Sequence, residues 1–183
     1  MKRVNSSGYI KLLERGGIDD PSKINVTYLK FEIKAPFLLL VNHFQTSNLG
    51  SIVSFPVLDT AEAYLPPIFH NLGPSGYVPM DSAKCNELNT KYNFFYTSLV
   101  NFYFKLLDQG VCRSEAALVL PFGLLTIFNW GISLRHLIKF IEENYHKNPE
   151  IFGYSKIFVL YLSEEFPKTF AWLKQNRWKN LGV

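Results

Sequence analysis

From Ala116 to Leu134 the chain runs for 19 residues without a charge, and any fold has to account for that stretch. Its length is close to that of a membrane-spanning helix. Pro121, Gly123, Asn129 and Gly131 interrupt it, and breakers at that density would leave backbone groups unsatisfied in lipid. The segment from Leu120 to Phe128, LPFGLLTIF, has the form of a turn entering a buried strand. The stretch is therefore protein core, and no membrane association is expected. A strand is predicted over 124–130, with Phe128 and Trp130 on opposite sides of it.

Helical and strand periodicities flank this core. Between Asn86 and Asp108, Leu88, Tyr92, Phe95, Leu99, Phe102 and Leu106 recur near every 3.6 residues, which predicts a long helix stopped by Gly110. Ser114 is expected to cap a short helix, Glu115 to Val119, ahead of Pro121. Ser133 caps the next, with Leu134, Leu137, Ile138 and Ile141 on one face. Asn148–Pro149 opens another, to about Ser163, and Phe166–Pro167 precedes an aromatic helix from Thr169 to Trp178.

Toward the N-terminus, Tyr9 to Arg15 is expected to form a short amphipathic helical turn ended by Gly16–Gly17. Asn25 to Ile33 alternates imperfectly and predicts a strand. Phe37 to Val41 is apolar throughout and suits helix or strand. Residues 46–84 hold Pro56, Pro66, Pro67, Pro74 and Pro79 and are expected to be a long irregular excursion. This order predicts an α+β fold, a mixed or antiparallel sheet flanked by helices in a single domain, 1–183.

Composition narrows the function classes. Hydrophobic residues at 48% and charged residues at 19% describe a globular chain, and aromatics at 16% leave apolar surface for self-association. The net charge of +4 is scattered except for Lys174, Arg177 and Lys179, which suit a solvated helix face better than the dense basic stripe of a nucleic-acid surface. Cys85 and Cys112 make neither a disulfide framework nor a metal-ligand set. His43, His70, His136 and His146 stand apart, so no metal site is expected. Met1 to Ser7 is polar and has no signal-peptide character, which points to the cytoplasm. No glycine-rich phosphate loop is present, and nothing resembles a Ser-His-Asp or Cys-His nucleophile, so no catalytic residue is assigned.

Within residues 95–144, Gly110-Val111 with Arg113, then Leu120-Pro121, Thr126, Phe128 and Arg135, stand in an order that resembles the core of the flavin-dependent thymidylate synthases. That family runs a long helix into Gly-Val-x-Arg, a short helix ending Leu-Pro, a strand with a Thr and an aromatic, and a helix opening Asn-x-Arg-Ser-Leu. At matching spacing stand Gly110, Val111, Arg113, Leu120, Pro121, Thr126, Phe128, Trp130, Arg135, Leu137 and Phe140. Upstream, the run from Phe31 to Pro36 resembles the family's strand ending Lys-Ala-Pro. Downstream, Glu150–Ile151 and the run from Phe166 to Phe170 resemble its last two helices. The family's N-terminal strand and helix have no counterpart, and 1–24 is taken as a truncated N-terminal region.

The ligand positions differ. Where the family carries Arg-His-Arg this chain has Gln45, Thr46 and Ser47. Gly50, Ile52–Val53, Phe55 and Val57–Leu58 stand at the Ser, Asn-Glu, Ser and Arg-Tyr positions that follow. Ala117, Ser133 and Asn144 replace an Arg, an Asn and an Arg, and no Arg lies between Arg15 and Arg113. Arg135 matches a family ligand position. With the Ser133 cap, and Lys139 one turn on, it is the candidate site for a phosphate or a flavin; its rival role is a salt bridge to Glu142 or Glu115. Leu120, Pro121, Phe128, Trp130, Leu137 and Phe140 are expected in the core.

The family reaction implied by the resemblance moves a methylene group from folate onto deoxyuridylate with hydride from reduced flavin. It rests on several Arg contacts to anionic ligands, at ~1.5–3 kcal/mol each. With those contacts gone, the expectation is a non-catalytic family member used as a structural or interaction subunit, with no cofactor. The alternative is an FAD- and nucleotide-binding enzyme of thymidylate metabolism with a rebuilt pocket. Expected partners are further copies of the chain, a larger protein assembly or an active synthase subunit.

Overall fold

A computed structural model describes all residues except 5–7, 46–48, 54–56, 64–68, 74–75, 122, 147–148 and 183, and only the backbone of 57–63, 72–73, 76–77 and 149–150. In chain order the elements are β1 (Lys2–Arg3), β2 (Tyr9–Gly16), β3 (Tyr28–Pro36), a helical turn α1 (Phe37–Leu39) that widens into π-helix over Leu40–Gln45, and β4 (Gly50–Ile52). Then come β5 (Val57–Ala63), β6 (His70–Gly73), β7 (Gly76–Pro79), α2 (Ser82–Asp108) and α3 (Arg113–Ala116). The chain closes with β8 (Leu124–Ser133), α4 (Leu134–Asn144), α5 (Pro149–Glu165) and α6 (Pro167–Asn176). It divides into two compact units, 1–58 with 126–183, and 59–125.

In the first unit a sheet runs in the order β1-β2-β3-β8-β4, antiparallel at the β1/β2, β2/β3 and β4/β8 pairings. Helices α4 and α5 supply the rest of the core. Leu137, Ile138, Phe140 and Ile141 of α4 pack with Ile33, Phe31, Phe128 and Trp130 of the strands. The α5 tyrosines join through their polar ends: the Tyr154 hydroxyl donates to the Lys34 carbonyl at 3.1 Å and Tyr161 to that of Ile10 at 3.0 Å. These observations bear out the α+β expectation.

Several local expectations change. Tyr9–Arg15 is a strand, not a helical turn: it pairs with β3 from Tyr9↔Lys34 to Gly16↔Tyr28. A bulge between Leu12 and Glu14 breaks the period-two pattern, and that break is what imitated helical spacing. The first β3 pairing falls at Tyr28 because Asp20 caps a 3₁₀ turn over Pro21–Lys23 and the Thr27 hydroxyl donates to the Lys23 carbonyl at 3.1 Å. The excursion 46–84 holds β4 to β7; β6 and β7 form a hairpin with register His70↔Pro79 to Gly73↔Gly76. Pro56, Pro66, Pro67 and Pro74 lie outside the described residues.

Phe128 and Trp130 share one face of β8 rather than opposite ones, as a two-residue side-chain period requires, and both meet Phe44, at 5.3 and 5.0 Å between ring centres. Cys112, not Ser114, occupies the start of the short helix, and the Ser114 hydroxyl lies 3.3 Å from the Cys112 thiol. Helix α2 begins earlier than expected, at Ser82, because the Asp81 side chain accepts the Lys84 amide at 2.9 Å. Phe128, Trp130, Leu137 and Phe140 are buried, whereas Leu120 and Pro121 are half-buried. The Asn148 cap lies outside the described residues, although α5 does start at Pro149.

Helix α6 has no cap of its own and borrows one from far away. Phe166 offers no side-chain bond at its start. Instead Asp19 accepts the Lys168 amide at 2.8 Å, the Thr169 amide at 2.9 Å and the Thr169 hydroxyl at 2.8 Å. Burial pushes the Asp19 carboxyl up, but these bonds and the Lys168 charge outweigh it and hold it below the usual carboxylate range. Asp19→Ala should therefore destabilise the chain by about 1–2 kcal/mol in urea titrations at neutral pH. Because the folded carboxyl titrates lower than the unfolded one, the loss should be full above the unfolded range. It should fade as pH falls through the folded value.

Candidate functional site at the start of α4

The candidate residues come together where β8 leaves the sheet and turns into α4. Ser133 closes the strand, and its hydroxyl accepts the His136 amide at 3.3 Å, which makes it the helix cap that its position implied. The other leading amides of the helix are already used. Leu134 N–H donates to the Thr27 carbonyl at 2.8 Å and Arg135 N–H to the Ile24 carbonyl at 3.1 Å. A helix start binds anions through free amides and the positive end of its dipole. Here the turn 24–27 and Ser133 satisfy the first three amides.

The cationic side chains sit outward. Arg135 is exposed, and its guanidinium reaches the Asn25 carboxamide oxygen at 3.5 Å, the outer limit of a hydrogen bond. Lys139 is exposed and lies 3.6 Å from Glu143 one turn later. Among the described residues, Arg135 pairs with neither Glu142 nor Glu115. Glu142 instead receives the Arg177 guanidinium and the Trp178 indole, each at 2.8 Å, so the basic C-terminal cluster is tied in part to α4. Among the described residues no group of three or more His, Cys, Asp or Glu is placed to hold a metal.

Strand β4 brings the displaced signature alongside. Gly50 pairs with Ile132 and Ser51 with Gly131, so position 50 lies one register step from Ser133. A Cβ on Gly50 would stand 2.4 Å from the Trp130 indole nitrogen. That nitrogen is buried and finds no partner among the described residues. Trp130 thus takes the volume that a side chain at position 50 would need. Thr46, Ser47 and Phe55 lie outside the described residues, as do the side chains of Val57 and Leu58. Sequence reasoning missed the turn 24–27 and the Trp130–Gly50 contact. Both join residues far apart in the chain, and no local signal marks them.

The family model described as thymidylate synthase complementing protein matches residues 21–168. The chain belongs to this family. A flavin-dependent thymidylate synthase of Thermotoga neapolitana is 27% identical over 169 residues, covering 88% of this chain and 72% of that protein. Two crystal structures of the UMP/dUMP methylase PolB from Streptomyces cacaoi share the fold. The one bound with 5-Br UMP has a TM-score of 0.80 at 16% identity and covers 96% of this chain and 97% of its own. The one bound with 5-Br dUMP has a TM-score of 0.78 at 14% identity, with the same coverage. The thymidylate synthase-like fold expected from residues 95–144 is therefore established. No described helix is long and apolar enough to cross a membrane.

Two substitutions test this geometry. Gly50→Ser, which reinstates the family residue type, should destabilise the chain by about 1–3 kcal/mol, because the buried indole has no room to move aside. Arg135→Ala should change stability by less than about 0.5 kcal/mol, since its one described side-chain bond is long and exposed. Thermal melts of the two variants beside the parent chain check both expectations.

Proposed function

We propose that this thymidylate synthase-like protein is a non-catalytic member of its family and works as a structural or interaction subunit in the cytoplasm. The observation that carries the reading is the self-satisfied start of α4. Its leading amides bond to Thr27, Ile24 and Ser133, and its two cations, Arg135 and Lys139, face solvent near Asn25 and Glu143. A flavin pyrophosphate or a nucleotide phosphate placed there would have to displace backbone bonds before gaining any. The described signature residues Gln45, Gly50, Ile52 and Val53 add no charge to receive it. These residues do not fit the cofactor, and no reaction step is assigned through it.

A second reading has one observation in its favour. Arg135 survives at a family ligand position with its guanidinium at the surface, where it can still pair with a phosphate. On that reading the chain binds FAD and a uridine nucleotide, such as those acted on by the similar methylase, in a rebuilt pocket and converts dUMP to dTMP. A third role, completing an active synthase as its partner subunit, predicts co-purification with that synthase.

The deciding experiment combines flavin fluorescence quenching with tritium release from labelled deoxyuridylate, folate and reductant supplied. The expected result is no tight flavin binding and no release. Micromolar flavin affinity that disappears in Arg135→Ala would place the enzyme reading first.

A further inference from the structure

The charge of this chain is not evenly spread. From Phe166 to Val183 stand Lys168, Lys174, Arg177 and Lys179 and no Asp or Glu, while the rest of the chain balances fifteen cations against fifteen acids. The whole excess of +4 therefore lies in α6 and the turns after it. Arg177 is held by Glu142 at 2.8 Å. Lys174 and Lys179 are exposed, and among the described residues neither has a carboxylate partner.

Local structure accounts for only part of this. Lys174 lies in the last turn of α6, where the negative end of the helix dipole favours a cation. Lys168 lies in the first turn, where the dipole disfavours one. Asp19 feels the Lys168 charge, but its oxygens are already bonded to the Lys168 and Thr169 amides. Trp172 is equally unexplained. Of the three Trp, Trp130 and Trp178 are 0% and 3% exposed, whereas Trp172 is 38% exposed. Thr169 and Leu173 turn inward, so Lys174, Ala171, Gln175, Lys168 and Trp172 follow one another around the outward half of the helix. That half joins an open indole to cations and carries no acid.

We infer that the outward face of α6 docks an acidic segment of another protein, which sets an apolar side chain against Trp172 and carboxylates against Lys168, Lys174 and Lys179. Charge complementarity selects this partner. With no acid on the face, an incoming carboxylate meets no repulsion, and lysines on flexible stems reach carboxylates at varied spacing. An indole beside such charges supplies the apolar anchor on which protein contacts concentrate their energy. Nucleic acid fits less well, because Arg177, the one guanidinium of the segment, is already paired with Glu142 and is not free to grip a phosphate. The inference rests on the reading of the chain as an interaction subunit and names the chemistry of its partner.

The probe is a synthetic peptide of roughly 16 residues, Glu throughout with Leu at helical spacing, added to the full chain. Trp172 reports on it, and the difference between the parent and Trp172→Phe isolates its emission. Iodide should quench that emission more than caesium, since anions gather at a positive face. The peptide should shift the emission to the blue, shield it from iodide, and bind about threefold or more weakly as salt rises from ~50 to ~300 mM. Lys174→Glu should raise the dissociation constant about tenfold or more, whereas Lys11→Glu, the same charge change at an exposed residue of β2, should leave it within about twofold. Both sites are exposed, so both variants should keep the parent far-UV circular dichroism. Equal weakening by the two variants, or equal binding of a peptide with Gln for Glu, would overturn the inference. Tighter binding of a single-stranded oligothymidylate or of phosphatidylserine vesicles would overturn it as well. Absence of peptide binding would do the same while leaving the interaction-subunit reading in place. Tight flavin binding by a chain that still takes the peptide at α6 would remove the non-catalytic reading and leave the docking face standing.

Discussion

The Phe44 ring, with no solvent exposure, lies among Phe128, Trp130, Phe140, Tyr154 and Phe158, at centroid distances from 5.0 to 6.5 Å, and the first unit is arranged around it. Those five rings come from β8, α4 and α5. Phe44 itself arrives from the widened helical turn after Pro36, an irregular piece of backbone inserted beneath a regular sheet. Edge-to-face and stacked contacts at these distances add directional preference to the burial of each ring. A close-packed cluster of that kind fixes the mutual positions of the strand and helices more tightly than aliphatic packing alone.

Once β8 is held this way, the geometry of the candidate site follows. Trp130 is locked among aromatic neighbours, so its indole edge excludes a side chain at position 50. Ser133 is carried to the sheet end, where it caps α4, and the turn before β3 closes over the same helix start through Thr27 and Ile24. The residues that resemble the family most closely in this region, Phe128, Trp130, Leu137 and Phe140, are the ones the core uses. Their agreement reports on packing. The residues that would report on ligand chemistry sit at the surface or have changed type.

The second unit shows the opposite balance. Its long helix is well formed by local means: an Asp81 cap, a Lys91–Glu87 pair one turn apart, and a left-handed Gly110 at φ 85° that ends it. Local order here exceeds what burial within the chain accounts for, because most of its aromatic side chains remain exposed.

The sequence by itself determined the elements whose signals are local. The periodicity of α2 and α4, the Ser133 cap, the strand after Pro121 and the proline start of α5 all lie within a few residues of the structure they specify, so a single chain displays them. The order of residues 95–144 carried the family in the same way, as spacing along one chain. Tertiary structure decided what depends on partners far away. Tyr9–Gly16 is a strand because β3 offers it hydrogen bonds, and the strands of residues 50–79 exist through pairings that no local pattern announces. Asp19 caps α6 across 149 residues of chain, and the amides at the start of α4 are taken by a turn more than 100 residues earlier. Whether Arg135 meets a ligand or a neighbouring Asn is a question of which backbone folds over it, and the identity of a residue does not contain that answer.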